Sequence, residues 1–261
     1  MGSGLMPDLL ISWCMHFRLL TYNIHKGIGG VDRRYDLARI VGVIRHHRPD
    51  VALLQEVDEG VPRSRRDRQA ELIAEAVELP HLAFQCNVKC REGHYGNAIL
   101  SRFPLSDAVD VDLSIPLKKR RRAQVVRCTA LHAGHQRSFT VINVHLGLAG
   151  FERRIQIRRL LRHECLAQLR TEAPVILAGD FNDGWGLLRK SELEPHGFRQ
   201  ASGKVRTFPA VAPLRQLDRV FIRGALQDHG AHGGRTHQCR RASDHLPLIV
   251  ELELTGEETD S

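Results

Sequence analysis

Short apolar runs recur along the chain, separated by polar turns and by stretches whose apolar residues return every third or fourth position. Phe17–Asn23 reads as a β-strand, followed by a loop with Gly27, Gly29 and Gly30. Leu37, Ile40, Val41 and Ile44 share one helical face, with Asp36 placed to cap that helix and Pro49-Asp50 to end it. Val51–Gln55 then reads as a buried strand ending at Glu56. This strand–helix–strand opening is an α/β signal. Asp67–Leu79 predicts a second helix through Leu72, Ile73, Ala76 and Val77. Asn97–Ser101 is a short apolar strand, and Val109, Val111 and Leu113 alternate with aspartates as on a half-exposed strand. Gln124–Leu131 and Ser138–Val144 predict a strand pair around a turn at Gly134. Glu152–Arg170 predicts one long amphipathic helix, with Ile157, Leu160, Leu161 and Leu169 inward and arginines outward. Val175–Ala178 is a further buried strand leading into Gly179-Asp180, and Leu217–Ile222 and Leu246–Leu254 complete the set.

Composition narrows the class. The chain has 261 residues, 42% hydrophobic and 26% charged, the balance of an ordinary globular protein, which excludes collagen-like repeats and extended disorder. No run approaches the roughly 20 apolar residues of a membrane span. No repeat or Pro/Ser-rich linker divides the sequence, so one domain over residues 15–255 is expected. Residues 1–14 read as a loose extension ahead of an alternative start at Met15, and residues 256–261 as a tail. The N-terminus lacks a basic n-region and an apolar h-region. The six cysteines contain no CxxC pair and read as buried free thiols. A cytoplasmic monomer is the expectation.

The net charge of +8 favours an anionic partner: a phosphate ester, a nucleic acid or an acidic membrane surface. Two basic runs, Arg63–Arg68 and Lys118–Arg122, fall in expected loops, where they are either solvated or guides for a polyanion. Aromatic residues make up only 5%, which argues against a base-stacking platform, and the glycine loop is not a GxxxxGK[ST] phosphate loop.

Candidate chemistry gathers where strands end. Asn23 ends the first strand, Glu56 follows the second, His145 closes the run VINV, Asp180 and Asn182 follow VILAG, and Asp244 and His245 precede the last strand. A single polar residue at a strand end is explained by turn chemistry. Seven, nearly all of metal-binding, acid–base or amide type, point to one rim of an α/β protein.

These segments resemble the endonuclease/exonuclease/phosphatase (DNase I-like) superfamily. The matching stretches are TYNIHKG (21–27), DVALLQEV (50–57), YGNAILSRFP (95–104), INVHLG (142–147), ILAGDFND (176–183), LDRVFI (217–222) and SDHLPL (243–248), in the family's order. With the TFP segment (207–209), the likeness is strongest to small uncharacterised bacterial members. The resemblance implies a four-layer α-β-β-α sandwich, with two mostly antiparallel sheets packed together and helices outside. It implies a divalent-metal-dependent phosphoesterase, most simply one that hydrolyses a phosphodiester as nucleases do. Mg²⁺ would be the cofactor and Mn²⁺ a substitute, because carboxylates and water suit a hard cation. A lipid- or inositol-type phosphoesterase is the alternative, and a non-catalytic anion-binding protein the more distant one.

By the same resemblance Glu56 and Asp244 would hold the metal. Asp180 would position or deprotonate the attacking water, with Asn182 supporting it. His245 would contact the scissile phosphate and be oriented by Asp218, while His145 would donate to a phosphate oxygen. Asn23 and Asn97 would lie on the substrate side. The sequence departs from some family nucleases at His94-Tyr95-Gly96-Asn97, which has no carboxylate directly adjacent. The DNA-penetrating loops of abasic-site enzymes and the substrate loop of inositol phosphatases are not evident.

Overall fold

A computed structural model of the chain describes residues 13–132 and 134–256. In chain order the elements are β1 (Trp13–Asn23), α1 (Leu37–His47), β2 (Val51–Glu59), α2 (Gln69–Ala76), β3 (His81–Lys89), β4 (His94–Ser101), β5 (Leu105–Asp112), β6 (Arg122–His132), β7 (His135–His145), α3 (Gly150–Arg162), α4 (Glu164–Ala167), β8 (Val175–Asp180), β9 (Arg199–Gln200), β10 (Asp218–Arg223), β11 (Leu226–Gly233), α5 (His237–Ala242) and β12 (Leu248–Gly256). The strands form two six-stranded sheets, β11-β12-β1-β2-β4-β3 and β5-β6-β7-β8-β10-β9. Each sheet holds a single parallel pair, β1 with β2 and β7 with β8, and is otherwise antiparallel. The expected architecture is therefore present.

Burial on both faces explains the unbroken apolar strands. Leu19, Leu53, Ile99, Val141, Ile176 and Val250 project between the sheets. Their strand neighbours Leu20, Leu54, Ala98 and Ile249 project outward under Ile40, Val43 and Ile44 of α1 and Ile73 of α2. On the other side Ile142, Val144 and Leu177 meet Ile157, Leu160 and Leu161 of α3.

Several expectations need correction. The helix expected over Glu152–Arg170 breaks at His163, whose extended backbone caps the one-turn α4 through a ring nitrogen accepting from Cys165 N–H. A continuous helix would turn Glu164 and Gln168 inward. The break instead buries Leu166 and packs Leu169 against the same cluster. Asp36 stands at the N-cap of α1 but makes no cap hydrogen bond, since its carboxylate takes Arg39 Nε at 3.0 Å. The second helix is shorter than expected, Gln69–Ala76.

Strands β3, β9 and β11 and helix α5 carried no clear periodicity. β3, β9 and β11 are outermost in their sheets, and α5 is only six residues long, with Cys239 and Ala242 buried. All six cysteines are free, but only Cys128 and Cys239 are buried and Cys14 is exposed. Trp13 and Cys14, assigned above to the extension, belong to β1, and Gly256, assigned to the tail, belongs to β12. Residues 1–12 and 257–261 lie outside the described residues. No helix among the described residues is long and apolar enough to cross a membrane.

Candidate active site

The topology brings the polar strand ends to one rim. Parallel β1 and β2 end side by side, with Asn23 opposite Gln55, and parallel β7 and β8 end with His145 opposite Asp180. Antiparallel β10 starts at Asp218, directly opposite Asp180, and the loop before β12 delivers Asp244 and His245. Local backbone fixes the details. Gly179 has φ +140°, and a Cβ there would lie 2.0 Å from the Val144 carbonyl oxygen. Only glycine therefore lets β8 approach β7 closely at the residue before Asp180. The Gly29-Gly30 loop serves a similar end, because a Cβ on Gly30 would lie 2.7 Å from Cα of Asp244. Gly30 thereby packs the loop after β1 onto the Ser243–His245 loop.

Asp180, Asn23, His145, Asp218 and His245 are all buried and form one cluster. Asn23 Nδ2 donates to Asp180 Oδ2 at 3.1 Å, and His145 Nε2 and His245 Nε2 lie 3.5 and 3.8 Å from the same oxygen. His245 Nδ1 is 2.8 Å from Asp218 Oδ2, which also accepts from the Thr207 hydroxyl at 2.5 Å. That pairing orients the ring and leaves Nε2 facing Asp180. The Phe208 ring stands 4.9 Å from the His245 ring, tilted 50° to it. Asn182 has a left-handed φ of +50°. Its N–H donates to Asp180 Oδ1 at 2.9 Å in an Asx turn, and its side-chain amide donates to the Leu146 carbonyl at 3.0 Å.

Electrostatics separates the two histidines. Burial alone would depress His245, but the carboxylates of Asp218 and Asp180 overcome it and raise the imidazole to about 10. Burial pushes Asp180 up to about 6, with the Asp218 charge adding and the His245 imidazolium opposing. His145 moves the other way, held well below its ordinary value by burial and then by the Arg121 guanidinium.

Glu56 occupies the bulge between Gln55 and Val57, with φ +57°, which turns its carboxylate out of the strand's alternation. Its carboxylate makes a close ion pair with Lys26 Nζ. Burial opposes ionisation of Glu56, yet the positive edge of His145, Lys26 and Lys119 holds it well below the usual carboxylate range. Because His145 itself is kept neutral, Lys26 is the cation that counts at neutral pH. Asp244 lies near the loop after β1, its Oδ1 3.9 Å from His25 Nδ1.

Glu56 and Asp244 supply the carboxylate oxygens that a hard divalent cation takes, and Lys26 already pairs with Glu56. A second donor set, Asp180, Asp218 and His245, offers three ligand atoms within 4.8 Å of one another. There, the hydrogen bonds from Thr207 and His245 already engage Asp218 Oδ2.

Asn97 stands apart. Its amide donates to Gln85 Oε1 at 3.3 Å in a polar layer inside the sandwich, near Gln55 and Asn143, which hydrogen-bond each other at 2.8 Å. Sequence reasoning missed Thr207 as a partner of Asp218, although the TFP segment had been noted. It also missed Tyr95, which is buried near Glu56, with Lys119 Nζ 4.6 Å from its ring centre and 3.4 Å from its hydroxyl.

Two packed sheets between helix layers, with acid, amide and imidazole groups on one rim, define a DNase I-like protein. The profile of the Endonuclease/Exonuclease/phosphatase family matches residues 20–245, and the chain belongs to that family. It is 32% identical over 262 residues to an uncharacterised protein of Escherichia coli K12, covering 95% of this chain and 100% of that one. An endonuclease/exonuclease/phosphatase of Beutenbergia cavernae superposes with a TM-score of 0.73 at 24% identity, over 94% of this chain and 73% of that one. A mannosyl-6-phosphatase of Bacteroides thetaiotaomicron superposes with a TM-score of 0.71 at 16% identity, over 90% of this chain and 99% of that one. At those identities the solved structures speak for the fold alone.

Proposed function

We propose that the protein is a divalent-metal-dependent phosphoesterase, nuclease-like in chemistry, that hydrolyses a phosphodiester. The observation that carries this reading is the convergence of Asn23, His145 and His245 on Asp180 Oδ2, with Asp218 behind His245. Asp180, raised towards neutrality by burial, accepts a proton from water as the water oxygen attacks phosphorus. The ester P–O bond breaks, and the released alkoxide takes a proton from solvent. His245, charged and fixed by Asp218, donates Nε2–H to an unesterified oxygen as charge builds there. Asn182 holds Asp180 in place through the Asx turn, and Asn23 orients its second oxygen. Neutral His145 is a further donor to a phosphate oxygen. Glu56 and Asp244 would hold Mg²⁺ or Mn²⁺, which supplies charge neutralisation at the phosphate when bound. Asn97 acts on the substrate side only indirectly, through the strand that carries it past Glu56. The free thiols support a reducing, cytoplasmic setting.

The test is a hydrolysis panel with Mg²⁺ or Mn²⁺, with and without EDTA. It covers bis-p-nitrophenyl phosphate, plasmid DNA, single-stranded RNA, an abasic duplex, phosphoinositides and sphingomyelin. EDTA-sensitive turnover of the diester and of one natural substrate is expected. No turnover of any of them with either metal would overturn the reading.

A further inference from the structure

A second group of ligating side chains lies at the far end of the first sheet. On β1, Met15 and Phe17 point between the sheets, so Cys14 and His16, which alternate with them, share the outer face. β12 pairs antiparallel with β1 and places Glu253 directly opposite His16, between inward-pointing Leu252 and Leu254. One ligand atom each of Cys14, His16 and Glu253 lies within 4.8 Å of the others, with His16 Nε2 3.9 Å from Glu253 Oε2. β11 closes the group from the other side. Its register on β12 shifts between Asp228 and Gly230, and the bulged residue is His229. The bulge brings His229 Nε2 to 2.5 Å from Glu253 Oε2 and its ring centre to 5.0 Å from that of His16. Seven residues of β1, about 23 Å of strand, separate His16 from Asn23, so this group is not part of the rim.

The neighbouring carboxylate shows what sets Glu253 apart. Glu251, two residues earlier on the same face, is neutralised by the Arg18 guanidinium at 2.6 Å. Among the described residues Glu253 pairs with imidazoles alone, and its side chain is 15% exposed beside rings whose side chains are 67% and 44% exposed. A thiol, an imidazole and a carboxylate at one point make a donor set for a borderline cation. Carboxylate and water suit Mg²⁺, whereas sulfur and nitrogen select Zn²⁺ and its first-row neighbours. Ligand atoms of a tetrahedral zinc site stand roughly 3.4–3.6 Å apart, so the present spacings close by about 1 Å, a movement open to exposed side chains. We infer that Cys14, His16 and Glu253 form a zinc-type metal site on the outer face of the first sheet, with His229 holding the carboxylate from behind. The Cys14 thiol gives up its proton to solvent as the metal binds, and the fourth position is left to water. A cation held there ties β1 to β12, strands from opposite ends of the described chain. The site stands independently of the phosphoesterase reading and takes a metal of different chemistry from the one proposed at the rim.

Co²⁺ is the probe, because a cobalt–thiolate bond is visible by absorption. Titrated into the metal-free 261-residue chain in excess Mg²⁺, Co²⁺ should produce a thiolate-to-metal charge-transfer band that saturates at one equivalent, and Zn²⁺ should abolish it. C14S should remove the band, while C86S and the rim variant E56Q should keep it. H16Q and E253Q should each weaken Co²⁺ binding by at least about 100-fold and H229Q by about tenfold, the scale of a residue that orients a ligand. Zn²⁺ should raise the Tm of the wild type by roughly 5 °C more than that of C14S. Cys14 and His16 are exposed, so C14S and H16Q keep the test open if E253Q does not fold. No charge-transfer band, a band that survives C14S or is lost in E56Q, or an unchanged affinity in H16Q or E253Q would overturn the site. A loss in H229Q as large as in H16Q, or no loss at all, would overturn the place given to His229.

Discussion

The two sides of the rim hold one histidine each, and opposite surroundings give them opposite charge. On one side His245 sits between Asp218 and Asp180, and the carboxylates outweigh the cost of burial, so the ring is cationic. On the other side His145 is equally buried without such a pair of carboxylates, and burial, with the Arg121 charge adding to it, keeps the ring neutral. The shared neighbour, Asp180, touches both. The same side chain at the same depth thus becomes a charge donor in one place and a neutral hydrogen-bond donor a few ångströms away. Burial alone accounts for the neutral ring of His145 but not for the charged ring of His245, where the neighbouring carboxylates outweigh it.

The sharpest way to break this contrast is to remove its shared member. Asp180→Asn should cut turnover on bis-p-nitrophenyl phosphate by about 10²–10⁴-fold, with the circular dichroism spectrum unchanged. A loss below tenfold would deny Asp180 the role of base. His245→Ala should cost at least about 10²-fold, and Asp218→Asn less, because Asp218 acts through the ring it orients. The double variant should be no worse than His245→Ala alone, and full additivity would dissolve the pairing. On the other side Glu56→Gln keeps shape and removes charge. It should raise the Mg²⁺ concentration for half-maximal rate by about tenfold or more while saturating metal restores part of the rate, and an unshifted metal dependence would exclude Glu56 as a principal ligand.

The smallest effect lies away from the rim, where His47 repeats the situation of His145 without the chemistry. Burial and then the charges of His46, His232 and Arg18 lower its pKa to about 4. The unfolded chain takes up this proton near its ordinary value and the folded chain does not, so stability should fall as pH drops from about 6.5 towards 4. His47→Gln should flatten that fall by roughly 1–3 kcal/mol in denaturant titrations, at about one pKa unit per 1.4 kcal/mol. An unchanged acid slope would mean that His47 is solvated in solution.

How much of this was legible in the sequence follows from what each feature depends on. The strands around Val51–Leu54 and Val175–Ala178 announced themselves because both faces are buried, so every position is apolar. The acid–base side was legible for a related reason. Asn23, Asp180 and His145 each end such a strand, and parallel pairing places strand ends together without further help. The basic side was not. Which of Lys118 and Lys119 meets Glu152 and which meets Tyr95 depends on the path of an irregular loop, and the direction of Glu56 depends on a bulge in β2. The α3–α4 break escaped periodicity because it hinges on one histidine capping the next turn.

The pairing of β1 with β12, from Trp13 opposite Gly256 to Thr21 opposite Leu248, has a consequence for how the protein is made. Strands from opposite ends of the described chain are nearest neighbours, and β1 carries Asn23 while β12 follows Asp244 and His245. During synthesis β1 must wait beside β2 with one edge open until β12 has left the ribosome. Such long-range closure slows folding and leaves a strand edge that can pair wrongly in the interval. The site cannot assemble piecemeal. It should appear in a single late step, with no nascent intermediate able to cut a phosphoester.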